Sequence, residues 1–230
     1  MKRVAISQSN YIPWKGYFDL INSVDEFILF DDMQYTRRDW RNRNKIKTTN
    51  GLIWLTIPVQ VKGNYYQKIK DTQISDMGWQ KDHWKSITYN YIRSQYFQDY
   101  KDVFESLYLN YQGNYLSQIN YKFIINICKI LGINTKISWS MDYTITEGKT
   151  DRLVSLCKQA GATEYISGPS AKEYIDDKLF QQANITLSYI DYSNYPEHHQ
   201  LFPSFEHSVS IIDLLFNEGY NSTKYMKSFI

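Results

Sequence analysis

Cysteine is scarce in this chain: only Cys128 and Cys157 occur, each inside an apolar periodic segment and neither in a C-x-x-C pair. That argues against a disulfide framework or a thiolate metal site, and it fits buried thiols in a reducing compartment. Long hydrophobic runs are missing as well. No window has the ~20 consecutive apolar residues that a spanning helix needs. The opening MKRVAIS falls far short of a signal h-region, so the expectation is a cytoplasmic protein without membrane insertion. Charge of one sign is also lacking. The formal net charge is +2, so the whole-molecule field gives no support to a nucleic-acid or membrane partner, and any electrostatic site must be local. The patterns G-x-G-x-x-G, G-x-x-x-x-G-K-[ST] and G-x-S-x-G are absent, which removes most of the support for dinucleotide, P-loop and serine-hydrolase chemistry. The histidines, His83, His198, His199 and His207, show no H-E-x-x-H or similar spacing, so no metal site is expected. No internal repeat, low-complexity tract or linker divides the chain.

Aromatic residues, by contrast, are abundant, at 17 % of the chain with 21 Tyr. Tyrosine offers a flat apolar ring with a polar tip, so part of the excess suits a ligand surface and part reflects composition alone. The 230 residues suffice for one large domain or a body with a smaller appended subdomain. Apolar runs at Arg3 to Ser7 and Phe27 to Phe30 predict strands buried on both faces. A short helix over Tyr17 to Val24 between them would complete a βαβ unit. Ile53 to Val61 predicts another strand, demoted to an edge or bulged by Pro58. Residues 82–110 carry helical periodicity broken near Ser94 to Gln98, and the stripe Leu116, Ile119, Phe123, Ile127 and Ile130 predicts a further helix stopped by Gly132. Strands then follow at Lys136 to Trp139, Glu164 to Ser167 and Thr186 to Asp191, with helices at Asp151 to Ala160, Ala171 to Gln182 and Ser208 to Asn217. Ser170 and Glu173 have capping-box spacing for the helix at Ala171. The expected class is α/β: a mostly parallel sheet with flanking helices, residues 1–78 and 133–230 forming the core with a ligand cleft, and residues 79–132 a helical insertion or subdomain.

Ligands of open α/β sheets sit beyond the carboxyl ends of the strands. Four segments follow predicted strands: QSNYIPWKGY, DDMQYTRRDWRNRNK, GPS and DYSNYP. In the first, Tyr11, Trp14 and Tyr17 would wall a cleft, held by Pro13 and a turn at Gly16. The second carries Arg37, Arg38, Arg41, Arg43, Lys45 and Lys47 after Asp31 and Asp32, interleaved with Tyr35, Trp40, Asn42 and Asn44. A guanidinium fork makes two parallel charge-assisted hydrogen bonds to phosphate, so a nucleotide diphosphate or a nucleotide-sugar pyrophosphate is a natural guest. A solvated basic segment paired with Asp31, Asp32 and Asp39 is the plain alternative, and the same interleaving suits single-stranded RNA. His83, near the start of the long helical stretch, would be kept neutral by the helix dipole and able to accept a proton.

The blocks QSNYIPWKGYFDLI, DEFILFDDMQYTRRDWRNRNKIKT, GLIWLTIP, DHWKSI, YISG and SIIDLLFNEG together resemble the WbqC-like protein family, from about Val4 to Gly219. The family's members lie among genes for O-antigen and other bacterial surface polysaccharides, so the resemblance implies a pathway more firmly than a reaction. Its pattern falls on Gln8, Tyr11, Pro13, Trp14, Gly16 and Tyr17, then on Asp31, Asp32, Gln34, Trp40, Asn42, Arg43 and Ile46. Later it takes in His83, Ser167, Gly168, Ser210 and Asp213. One departure is Ser9, where the pattern more often has proline, and it bears on the shape of the first loop.

The expected activity is therefore modification of a nucleotide-activated sugar, by acyl or aminoacyl transfer to an amino sugar. Arg43, with Arg38 and Lys45, would hold phosphate, while Trp14, Tyr11 and Tyr17 shape the pocket. Asn42 and Gln8 would bond polar substrate groups, with Ser167 and Gly168 at a neighbouring strand end. His83, and after it Asp32, are the candidate general bases. The sequence names neither the donor nor a cofactor. A non-catalytic nucleotide-sugar-binding or scaffold subunit and an RNA- or tRNA-facing protein are the alternatives. The catalytic reading requires the Tyr11 to Tyr17 loop and the Asn42/Arg43 region to face each other across a hollow.

Overall fold

The computed structural model describes residues 1–229. The chain runs β1 (Arg3–Ser7), α1 (Lys15–Asn22), β2 (Glu26–Leu29), β3 (Arg43–Thr48), β4 (Gly51–Thr56), α2 (Trp79–Tyr91) and α3 (Phe97–Leu109). It continues through α4 (Leu116–Leu131), β5 (Lys136–Trp139), α5 (Lys149–Gln159), β6 (Glu164–Ser167), α6 (Asp177–Gln182), β7 (Thr186–Tyr189) and α7 (Ile211–Glu218). Five strands form one parallel sheet in the order β5-β2-β1-β6-β7. The chain winds from β1 outward through β2 and β5, then crosses back to β6 and β7. The two neighbours of β1 thus belong to opposite winding directions, and their connections part at the carboxyl ends of β1 and β6.

Both faces of the sheet are covered, as the apolar character of its strands requires. Side chains alternate across β1. Val4 and Ile6 pack with Leu153, Leu156 and Cys157 of α5 and Phe180 of α6, while Ala5 joins Phe27 and Leu29 against α1, α4 and α7 on the other face. Residues of α2 and α3 enter that second cluster too: the rings of Phe97 and Phe104 lie 5.1 and 5.2 Å from that of Phe216 in α7. Burial pushes the Cys128 and Cys157 thiols up to about 12, so neither forms a thiolate at neutral pH.

Helix α4 stops where a side chain becomes a hindrance: Gly132 has φ 72°, and the next N–H, of Ile133, donates to the Cys128 carbonyl at 2.9 Å. Two expectations need correction. The basic segment after β2 is not all loop, because β3 pairs with β4 as an antiparallel hairpin, Lys45 opposite Trp54. Its strand character is hidden because the residues buried on β3 include the polar Asn44 and Lys47 beside Ile46. The helix expected over Ala171 to Gln182 is broken. Pro169–Glu173 forms a 3-10 turn with no side-chain cap, and α6 starts later, where the Asp176 carboxylate accepts from the Lys178 N–H at 3.0 Å.

Candidate functional site

The loop after β1 is stitched to distant segments rather than left as a free wall. The Ser9 N–H donates to Asp31 Oδ1 at 2.8 Å, a bond that proline could not make. Asn120 Nδ2 donates to Ser9 Oγ at 3.0 Å and to the Arg41 carbonyl at 2.9 Å. Asn44 Nδ2 reaches the carbonyls of Tyr11 and Ile12 at 3.1 and 2.8 Å, and the Tyr11 N–H donates to the Trp40 carbonyl at 3.0 Å. Ile12 has φ 36°, a left-handed backbone that costs a β-branched residue about 1–3 kcal/mol and persists only under such constraint.

This stitching turns several of the expected site residues inward. Tyr11 is fully buried, its hydroxyl bonded to Tyr108 Oη at 2.7 Å and His83 Nδ1 at 2.9 Å. Tyr17 is buried as well and donates to the Gln8 carbonyl at 3.0 Å. The cleft wall expected from three aromatics is thus reduced to Trp14, because the other two hydroxyls find their partners inside the core. Asn42 also faces inward, its Nδ2 donating to the Ile57 carbonyl at 2.8 Å. Asp32, in the turn after β2, has Lys70 Nζ at 2.8 Å, Lys68 Nζ at 3.5 Å and Ser140 Oγ at 2.9 Å. Burial pushes its carboxyl up, but these partners, Lys70 foremost, outweigh burial and hold it below the ordinary range, which makes it a poor proton acceptor.

His83 lines neither of the two hollows described below. Burial lowers its pKa from 6.5 to about 4, with a backbone bond at Thr56 acting weakly the other way. The unfolded chain therefore takes up this proton first as pH falls. Stability from this source is complete above 6.5 and is lost on the way down to about 4. The loss between pH 7 and pH 5 is expected to be about 2 kcal/mol. Denaturant melts at the two pH values should show it in the native chain and not in His83→Gln. An equal loss in both proteins would contradict the assignment.

The crevice between β1 and β6 is where the remaining polar candidates meet. It encloses about 770 Å³. Ser7 and Gln8 come from the end of β1, Ser167 and Gly168 from the end of β6, and Arg41 from the segment before β3. A Cβ at Gly168 would meet nothing within 4 Å, so the backbone there is bare. On the far side α5 begins with Gly148, Lys149 and Arg152 in the lining. Gly148 has φ 90° and supplies no side-chain cap, so the helix's first N–H groups and its positive dipole end are uncapped by a side chain. Arg152 is steadied by its Nε bond to the Thr146 carbonyl at 2.9 Å. Arg41 bonds Asn10 Oδ1 and lies 3.7 Å from the Asp39 carboxylate, and its buried Nε has no partner among the described residues. Among the described residues no carboxylate or imidazole lines this crevice. Three cations and helix N–H groups without a side-chain cap make an anion site, tempered by Asp39, 3.7 Å from Arg41, and by Asp151 in the first turn of α5.

Arg38, Arg43 and Lys45 lie elsewhere. The Arg43 guanidinium sits 4.0 Å from the centroid of Trp54 and donates to the Arg38 carbonyl, and Lys45 Nζ is 5.2 Å from the same ring. This row occupies the outer face of the hairpin. Beside it a second hollow of about 250 Å³ opens between Trp14 and Trp40, with Asn10, Pro13, Asn44, His207 and Ser208 in its lining.

The chain matches the WbqC-like protein family over residues 8–225. It belongs to that family. It is also 51 % identical over 227 residues to the uncharacterized protein Rv1507c of Mycobacterium tuberculosis, a match covering 99 % of this chain and 98 % of that protein. No solved structure matches the chain. The family match takes in the lining of both hollows of this WbqC-like protein except Ile6 and Ser7. Among its described residues no helix is long and apolar enough to cross a membrane, and no group of three or more His, Cys, Asp or Glu could hold a metal ion.

Lys149, Arg152 and His207 were not singled out in the WbqC-like sequence, and Arg41 was not distinguished from its basic neighbours. A usable signal existed for two of them. Gly148 followed by Lys149, with Arg152 one turn on, is a bare backbone and two cations at the start of a helix that follows a strand. No comparable signal separates Arg41 from Arg43, because only the pairing of β3 with β4 places Arg43 on the hairpin's outer face.

Proposed function

We propose that this WbqC-like protein binds a nucleotide-linked sugar with its phosphates in the β1/β6 crevice. The sugar is one destined for bacterial surface polysaccharide, in the cytoplasm, and acyl or aminoacyl transfer to its amino group would have to use groups other than Tyr11, Tyr17, Asn42 and His83, which the fold turns inward. The observation that carries the reading is the convergence of Arg41, Lys149, Arg152 and the α5 N-terminus at the carboxyl end of the sheet, with no acid in the lining. Guanidinium forks and free helix N–H groups favour phosphate oxygens over neutral ligands. Gln8 and the bare backbone at Gly168 would meet the polar edge of the same ligand.

The lack of an imidazole or carboxylate in the crevice favours a second reading, a subunit that binds the nucleotide sugar without transforming it. Product formation with an acyl or aminoacyl donor separates the two. Both share one test. Nucleoside diphosphates and nucleotide sugars should raise the melting temperature in a concentration-dependent way, by the equivalent of about 2.7 kcal/mol at a hundred times the dissociation constant. No shift with any of them at millimolar concentration would remove the reading.

A further inference from the structure

We infer that the hollow between Trp14 and Trp40 is a pyranose subsite, and that the Asn10–Arg41 pair is the wall it shares with the phosphate crevice. The inference builds on the reading above of a nucleotide-linked sugar and assigns the sugar ring its place.

The hollow's volume of about 250 Å³ suits a single ring. Sites for drug-sized ligands run to roughly 300–1,000 Å³. Its walls are two indoles and a proline, flat apolar surfaces against which the C–H face of a pyranose can stack. Both indoles are braced from behind. Trp40 is 39 % exposed, its ring 5.3 Å from that of Trp54, which in turn carries the Arg43 guanidinium at 4.0 Å. Trp14 is held edge-on by Tyr192 and Tyr195 at 5.2 and 5.5 Å. A large aromatic kept open yet fixed in place is preorganised for a partner, since little side-chain freedom remains to be lost on binding. The backbone between the walls is fixed as well, by the two Asn44 bonds and the constrained Ile12.

Polar side chains share the lining with the indoles. His207 lines the hollow with its ring resting edge-on against Phe205 at 4.6 Å, and Asn10 lines it too. Asn10 also accepts from Arg41, which lines the crevice on the other side. A guanidinium at the dividing wall, its buried Nε unpartnered among the described residues and Asp39 3.7 Å from its other end, is where the phosphate that bears the sugar would pass.

The test uses the full chain, with Trp40→Ala and Trp40→Phe, titrated calorimetrically with UDP, dTDP and GDP and with the hexose conjugate of each. Methyl pyranosides are followed in parallel by ligand-observed NMR. The conjugate should bind tighter than the diphosphate alone. Trp40→Ala should erase that gain, about tenfold or more, leave the diphosphate unchanged and abolish the pyranoside signal, and Trp40→Phe should restore part of each. Binding of pyranosides through Trp40 without any diphosphate binding would sustain this inference and remove the crevice reading. Diphosphate binding with no Trp40-dependent gain from the sugar would do the reverse. Equal weakening of diphosphate and conjugate by Trp40→Ala would put the base in the hollow and overturn the inference.

Discussion

Replacing Lys149 and Arg152 together by glutamate is expected to weaken binding of a nucleoside diphosphate by at least about 100-fold. Each charge-assisted hydrogen bond to an ionised group contributes roughly 1.5–3 kcal/mol, and the double change removes two donors while placing two anions at the uncapped start of α5. Both side chains line the crevice rather than the core, so the fold should be little disturbed. The affinity of the native chain should fall as salt rises, because partly exposed cations are screened, and that slope should be shallower in the variant. Calorimetric titration checks both effects. A dissociation constant within threefold of the native value would mean that the phosphates bind elsewhere.

Asp213→Ala should destabilise the fold by about 3–5 kcal/mol, the range found when a buried charge network loses one partner. Asp213 is 1 % exposed and accepts from Tyr91 Oη at 2.8 Å, His198 Nε2 at 2.8 Å and Gln200 Nε2 at 2.9 Å. Gln200 Oε1 in turn accepts from the buried Lys47 ammonium at 2.7 Å. Removing the carboxylate leaves Tyr91 Oη and His198 Nε2 without their buried acceptor, whereas Gln200 Nε2 keeps the Glu206 carbonyl at 3.0 Å. Asp213→Asn keeps the shape and some of the acceptors, so it should cost less. Urea unfolding measures both, and a loss below about 1 kcal/mol for the alanine variant would contradict the network's importance. The same network ties α7 and the segment around His198 to α2 and β3. Next to it the Ser210 N–H donates to the Lys45 carbonyl at 2.9 Å. Ser210 and Asp213, two residues of the family pattern, therefore hold the hairpin that carries Trp54, and that Trp40 precedes, against α7.

Legibility in the sequence followed the range of the interactions. Strand β1 was readable to the residue because a short apolar run reports burial on both faces directly, and β5 and β6 because the alternation of strand-like and helix-like segments places them, although each is only partly buried. The stop at Gly132 was readable for the same local reason. The β3–β4 hairpin was not, since a strand whose inward side chains include Asn44 and Lys47 lacks the apolar alternation that reveals one. Tyr11 and His83 looked like site residues because their partners are remote: the bond between them joins positions 72 apart, and that from Tyr11 to Tyr108 spans 97. Periodicity cannot say whether a loop aromatic points into a cleft or into a core made of helices that come later. Gln8, Ser167 and Gly168 do line the crevice, because strand ends converge there whatever the loops contain. Arg38, Arg43 and Lys45 do not, although residue type alone gave them the same standing as Arg41.

The most direct test is a crystal structure of the full chain with a nucleoside diphosphate bound. The account predicts phosphate oxygens beyond the ends of β1 and β6, within hydrogen-bond distance of Arg41, Arg152 and the first N–H groups of α5. A diphosphate seated instead on the outer face of the hairpin, against Arg43 and Lys45, would contradict it.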